Sequence, residues 1–177
     1  MKNIILTFFL LFTCAVINAQ TLDEIQTILK TPAVSYAQAA SFVLEAADVT
    51  GSYDKTSEQE AARNAMRFAT EKKWLPQNAN AQDAISLEKF SLLVMKAFGL
   101  KGGLMYTLFN SAHYSYREMV FQELIRGQSD PQMKVSGEMM IFIVNRILYQ
   151  IEDNPWEFAQ EQPESTAEKI TVQEGAQ

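Results

Sequence analysis

ISLEKFSLLVMKAFGL, Ile85 to Leu100, is the stretch on which the fold turns, because two other segments echo it. Val34 to Val49 reads VSYAQAASFVLEAADV and Val135 to Gln150 reads VSGEMMIFIVNRILYQ, so the opening residues are spaced by 51 and 50 positions. A near-constant period of this size is a signature of repeat architectures. Each segment opens on a β-branched residue followed by Ser (Val34-Ser35, Ile85-Ser86, Val135-Ser136). Ser ahead of a periodic apolar run is a favoured N-cap, its hydroxyl accepting from first-turn backbone N–H groups. With the serines superimposed, Phe42, Leu93 and Ile143 coincide, as do Val43, Val94 and Val144; Ala46, Ala97 and Ile147; and Ala47, Phe98 and Leu148. That spacing predicts one apolar stripe along a 3.6-residue helix.

A partner helix precedes each of these. Thr21 to Glu24, Ser57 to Glu60 and Ser115 to Glu118 all match the S/T-x-x-E capping box, in which hydroxyl and carboxylate each satisfy an unpaired backbone donor. The helices they open carry Leu22, Ile25, Ile28 and Leu29; Ala62, Ala65, Met66 and Ala69; and Tyr116, Val120, Leu124 and Ile125 on their apolar sides. The expected architecture is all-α, with three helix-loop-helix units at about 21–50, 56–100 and 115–152 in a single domain spanning 20–155.

Residues 1–19 combine an early Lys2, an unbroken apolar run from Ile4 to Phe12 and a small residue, Ala19, suited to cleavage. The run is too short and too N-terminal for a membrane span and reads as a signal peptide. Lipoprotein processing at Cys14 would need a small residue before it, and Phe12-Thr13 fits poorly. Cys14 is the sole cysteine, so a cleaved chain would carry no disulfide, thiolate ligand or cysteine nucleophile, which suits an oxidising periplasmic or extracellular location. The net charge of −6 argues against nucleic acid or anionic lipid as a partner. What remains after cleavage is long enough to bury about two thirds of its unfolded surface without a staple.

The repeat leaves one stretch unexplained, Gly99 to Tyr114, whose Leu104, Met105, Tyr106, Leu108 and Phe109 are too apolar for a solvated loop. They are expected to form a short helix or extended segment against the bundle, either plugging a groove or carrying function. Beyond Trp156 and Phe158, the Gln-, Glu-, Ser-, Thr- and Pro-rich run to Gln177 cannot bury enough surface to order itself, so 156–177 is expected to be a disordered acidic tail.

In this arrangement the chain resembles the S-layer homology family, on the match of Ile85-Ser-Leu-Glu-Lys89 followed by FSLLVMKAFGL, and of Ile125-Arg126-Gly127 at the turn after the first helix. Residues from Ile85 through the following loop are also similar to exported spirochaetal proteins of unknown role. The resemblance covers about Thr21 to Ile151 and implies a pseudo-threefold bundle that binds cell-wall polysaccharide in grooves between units. The family's motif arginine is replaced by Tyr36, Leu87 and Gly137, and neither Leu nor Gly can grip an acidic sugar as a guanidinium does.

No catalytic or metal constellation emerges. His113, the one histidine, has Ser111 and Tyr114 beside it but no third group to orient it. One His and no D-x-D-x-D-G run leave no metal site, and Gly99, Gly102 and Gly103 lack the Lys-Ser/Thr of a phosphate loop. The methionines at helical spacing read as core fillers. Trp74, Tyr106, Phe109, His113, Tyr114 and Tyr116 are the candidate binding residues, a sugar-stacking platform or else part of the core. The sequence thus points to a non-enzymatic, cofactor-free envelope module, not an integral membrane protein, that binds glycan or peptidoglycan. The alternative is a periplasmic protein-protein adaptor or structural component of an envelope assembly.

Overall fold

The computed structural model describes residues 25–49 and 58–153. The expected signal peptide, Cys14, Thr21 to Glu24, Ser57, and the expected acidic tail with Trp156 and Phe158 lie outside them. Helix α1 is described over 25–29. It is followed by α2 (Tyr36–Ala46), α3 (Glu58–Glu71), α4 (Leu87–Ala97), α5 (Leu104–Phe109), α6 (Ala112–Phe121) and α7 (Gly137–Asp153). The fold is an all-α bundle, and among the described residues the only β geometry is two isolated antiparallel bridges, Ser35 with Ala84 and Ser86 with Lys134.

Those bridges belong to the knot at the centre of the molecule. The Val34 N–H donates to the Val135 carbonyl (2.8 Å), the Val135 N–H to Ile85 (3.2 Å), and the Ile85 N–H to Val34 (3.0 Å), closing a ring. Two residues further along, the N–H groups of Tyr36, Leu87 and Gly137 donate to the carbonyls of Asp83, Met133 and Thr31 at 2.9 to 3.0 Å. Three first-turn donors that a helix leaves unpaired are thereby used to bind three chain segments together.

Helices α2, α4 and α7 start where the serines place them, but the three caps differ. Ser35 forms a full capping box: its Oγ accepts from the Gln38 N–H (3.2 Å) and the Gln38 side chain accepts from the Ser35 N–H (2.9 Å). Ser136 Oγ accepts from the Met139 N–H at 3.1 Å. Ser86 makes no side-chain cap bond, and its buried hydroxyl has no partner among the described residues. Ser35→Ala is therefore expected to destabilise the fold by about 1 kcal/mol, whereas Ser86→Ala removes an unsatisfied polar atom and should be neutral or stabilising. Thermal melts of the two variants check this, and equal losses would refute it.

The core is a single cluster. Its inward positions recur: Val34, Ile85 and Val135; then Ala39, Phe90 and Met140; then Val43, Val94 and Val144, all buried. Leu93, Ile143 and Ile147 are buried as their stripe requires, but Leu148 is 40% exposed. Met95, Met119 and Met140 fill core positions, while Met105 stays exposed. Helix α2 packs along α3 and α4 along α6, and Gly137 brings α7 against Ile28 of α1. Helix α3 thus lies on α2, α6 on α4, and α1 on the start of α7.

Helix α6 corrects the expected capping box at Ser115. The helix opens four residues earlier, with Ser111 as N-cap, and Ser115 lies inside it, buried, its Oγ donating to the Ser111 carbonyl at 2.9 Å. This back-bond to the preceding turn is the alternative that a serine hydroxyl always has inside a helix. The inward face is then Ser115 and Met119, and Val120 turns outward. Helices α2, α3, α4 and α6 each close with a left-handed residue (Asp48, Lys73, Gly99, Glu123). Val49, Trp74, Leu100 and Leu124 then donate back to the carbonyls of Leu44, Ala69, Met95 and Met119, the bond pattern of a Schellman stop.

Candidate functional site

Two surface features stand out, and the aromatic stretch after α4 supplies the first. Gly99, at φ +60°, stops α4, and the backbone of 101–103 is then clamped to α6. Glu118 Oε2 accepts from the Gly103 N–H (2.9 Å), and Gln122 Nε2 donates to the Lys101 carbonyl (2.9 Å) and to Glu118 Oε1 (2.9 Å). The Tyr106 ring lies on Gly102 so closely that any Cβ there would collide with it. Left-handed Asn110 ends α5 after six residues.

Of the side chains on α5, only Tyr106 is buried. Leu104 (72% exposed), Leu108 (65%), Phe109 and Met105 all face outward. The segment is a short helix, as one expected alternative had it, but it projects its aliphatic residues instead of plugging a groove. Lys96 Nζ sits 5.5 Å from the centre of the Tyr106 ring. Burial holds the Lys96 ammonium below the ordinary lysine range, and burial, then the Glu118 charge, pushes the Tyr106 phenol above its own. A cavity of about 430 Å³ beside α5 is lined by Lys96, Lys101, Gly102, Tyr106, Thr107 and Asn110.

The structure brings together only part of the aromatic set read from the sequence. Phe109 and Tyr114 stack at 5.2 Å, and exposed His113 meets Tyr114 edge-on at 5.5 Å. Trp74 packs edge-on against Phe68 of α3 (5.7 Å) and onto the core. Tyr116 is partly buried, its hydroxyl bonding both the carbonyl and the Oγ of Ser129 at 2.9 Å. Trp74 and Tyr116 therefore serve packing and loop positioning.

The second feature is an open groove of about 470 Å³ between the 125–129 turn and α7, lined on its polar side by Arg126, Gln128, Ser129, Glu138 and Arg146 and floored by Met139, Phe142 and Ile143. Its volume falls within the range of small-ligand sites. Phe142 is 57% exposed and offers a flat apolar face. Arg146 is fixed in place by its Nη1 donating to the Leu124 carbonyl at 2.6 Å, and Arg126 pairs loosely with Glu123 at 3.6 Å across an exposed turn. Ser129 is held by Tyr116. Among the described residues no group of three His, Cys, Asp or Glu side chains could hold a metal ion.

No family model, curated protein or solved structure matches the chain. The S-layer homology resemblance therefore rests on the quoted residues alone. The three positions of its motif arginine, Tyr36, Leu87 and Gly137, are all buried and offer nothing to a ligand. Sequence reading missed the groove beside α7, although a signal was present: Glu138, Phe142 and Arg146 recur every four residues and so share a helix face, with an acid, an aromatic and a base on the side away from the apolar stripe.

Proposed function

We propose that the protein is an exported, non-catalytic binding module of the cell envelope, with three helical units arranged about a pseudo-threefold axis, that takes a wall glycan in the groove beside α7. The closed ring of backbone bonds among Val34, Ile85 and Val135 supports the threefold arrangement. The observation that carries the binding reading is the exposed Phe142 ring set among Arg126, Gln128, Glu138 and Arg146. A sugar presents an apolar C–H face and a rim of hydroxyls, and this groove pairs a flat ring with planar donors and acceptors. Arginine donors are also suited to the carboxylates of acidic sugars and stem peptides. Because Arg146 and Ser129 are already anchored, little ordering is left for binding to impose. The two arginines restore, at new positions, the guanidinium that the buried motif positions lack.

Co-sedimentation with purified cell-wall sacculi tests the reading. The intact chain should pellet with sacculi, and Phe142→Ala and Arg126→Ala should each weaken binding by about tenfold, the worth of one stacked ring or one charge-assisted hydrogen bond. Tyr114→Ala, on the α5 side, should bind as the parent does. Failure of the folded parent to pellet would end the glycan reading, and a loss confined to Tyr114→Ala would move the site to α5.

A further inference from the structure

We infer that α5 is a membrane-docking element: it seats Leu104, Leu108 and Phe109 in the interfacial layer of a lipid bilayer, while Lys96 and Lys101 receive the phosphate of an anionic headgroup in the cavity alongside. This surface is independent of the groove proposed for glycan.

Three observations carry it. The first is the outward projection of α5, whose Leu104, Met105, Leu108 and Phe109 are all more than half exposed. They stand at i, i+1, i+4 and i+5, a single short apolar face. Recognition of a helix by a protein groove runs through anchors at i, i+3, i+4 and i+7, and six residues do not reach that far. A bilayer interface has no such requirement and takes apolar side chains from any direction. The second is the footing. Glu118 and Gln122 clamp 101–103 to α6, so the apolar residues are held out by hydrogen bonds and are not a frayed loop.

The third is charge. In a chain with 21 acidic residues against 15 basic ones, Lys96 and Lys101 line one cavity, and among the described residues neither has a carboxylate oxygen at salt-bridge distance. The nearby Glu118 carboxylate is occupied by the Gly103 N–H and Gln122. Thr107 and Asn110 add a hydroxyl and an amide to the same lining. Two ammoniums with no carboxylate at salt-bridge distance, set beside a hydroxyl, an amide and exposed apolar residues, match an anionic amphiphile. Net charge argues against anionic lipid for the chain as a whole, but short-range attraction at a bilayer is decided by the charges within a Debye length of it.

The test is co-sedimentation of the full chain with vesicles of phosphatidylcholine and phosphatidylglycerol in equal parts, and with phosphatidylcholine alone. Every arm carries the apolar N-terminal run, so differences between variants isolate α5. The parent should bind the mixed vesicles more tightly than the neutral ones. Leu108→Asp should lower partitioning by about tenfold, and Lys101→Gln by about fivefold on mixed vesicles only. Tyr149→Asp, an exposed aromatic on α7, should match the parent, and circular dichroism should confirm that all variants fold. Partitioning that is unchanged by both α5 substitutions, that falls equally in Tyr149→Asp, or that is absent from both vesicle types overturns the inference. So does retention of α5 by a partner protein with no vesicle binding.

Discussion

Gly137→Ala is expected to unfold much of the protein at temperatures where the parent is intact. A Cβ at this position would collide with the carbonyl oxygen of Ile28 and lie 2.6 Å from its carbonyl carbon. Both are backbone atoms and cannot swing aside as a side-chain tip can. The Gly137 N–H also donates to the Thr31 carbonyl at 2.9 Å, so relieving the clash breaks the contact that brings α7 to the first segment. Overpacking against backbone in a core costs about 3 kcal/mol or more, which for a chain of this size lowers Tm by on the order of 10 °C. A circular-dichroism melt reads the effect, and a Tm within about 2 °C of the parent would mean that α7 does not seat on Ile28. The same first-turn position holds Tyr36 in α2 and Leu87 in α4, so the intolerance is specific to the place where the first and last segments meet.

Phe90→Ala should be nearly as damaging. Phe90 is fully buried on α4, at the inward position that Ala39 holds on α2 and Met140 on α7. With a small residue already at one of these three, the core has little material to fill the vacated space, and relaxation will be partial. The loss expected for deleting a buried phenyl ring is about 3–5 kcal/mol. Urea unfolding should show the midpoint shifted down with the m-value unchanged; a changed m-value would indicate that the variant no longer unfolds in one step. Phe90→Leu, which leaves a smaller void, should cost much less.

What the residues disclosed and what they withheld have different physical origins. The starts of α2, α4 and α7 were legible because a β-branched residue, a serine and a periodic apolar run all act locally. Ser115 misled because S-x-x-E describes a helix start only when nothing upstream is helical; Ala112 to Tyr114 are, and the serine hydroxyl turned to its own helix. The pairing of α2 with α3 and of α4 with α6 was not legible, since an apolar stripe does not name the helix it meets. The candidate site was legible only in part. Aromatic content drew attention to Tyr106 through Tyr116, and Phe109, His113 and Tyr114 do come together there, but ring count cannot distinguish Tyr106, which is buried, from Phe109, which is not. The α7 groove depends on a turn at 125–129 folding over Glu138, Phe142 and Arg146, a juxtaposition across sequence that only the fold supplies.

The ring that joins Val34, Ile85 and Val135 also ties the fates of three distant segments together. An open solenoid gains or loses units at its ends and needs special terminal repeats to shield them; here each of the three segments has its donor and acceptor already taken by the other two. At these three residues no backbone donor or acceptor is left over, so a shift of any one segment breaks a bond to each of the other two.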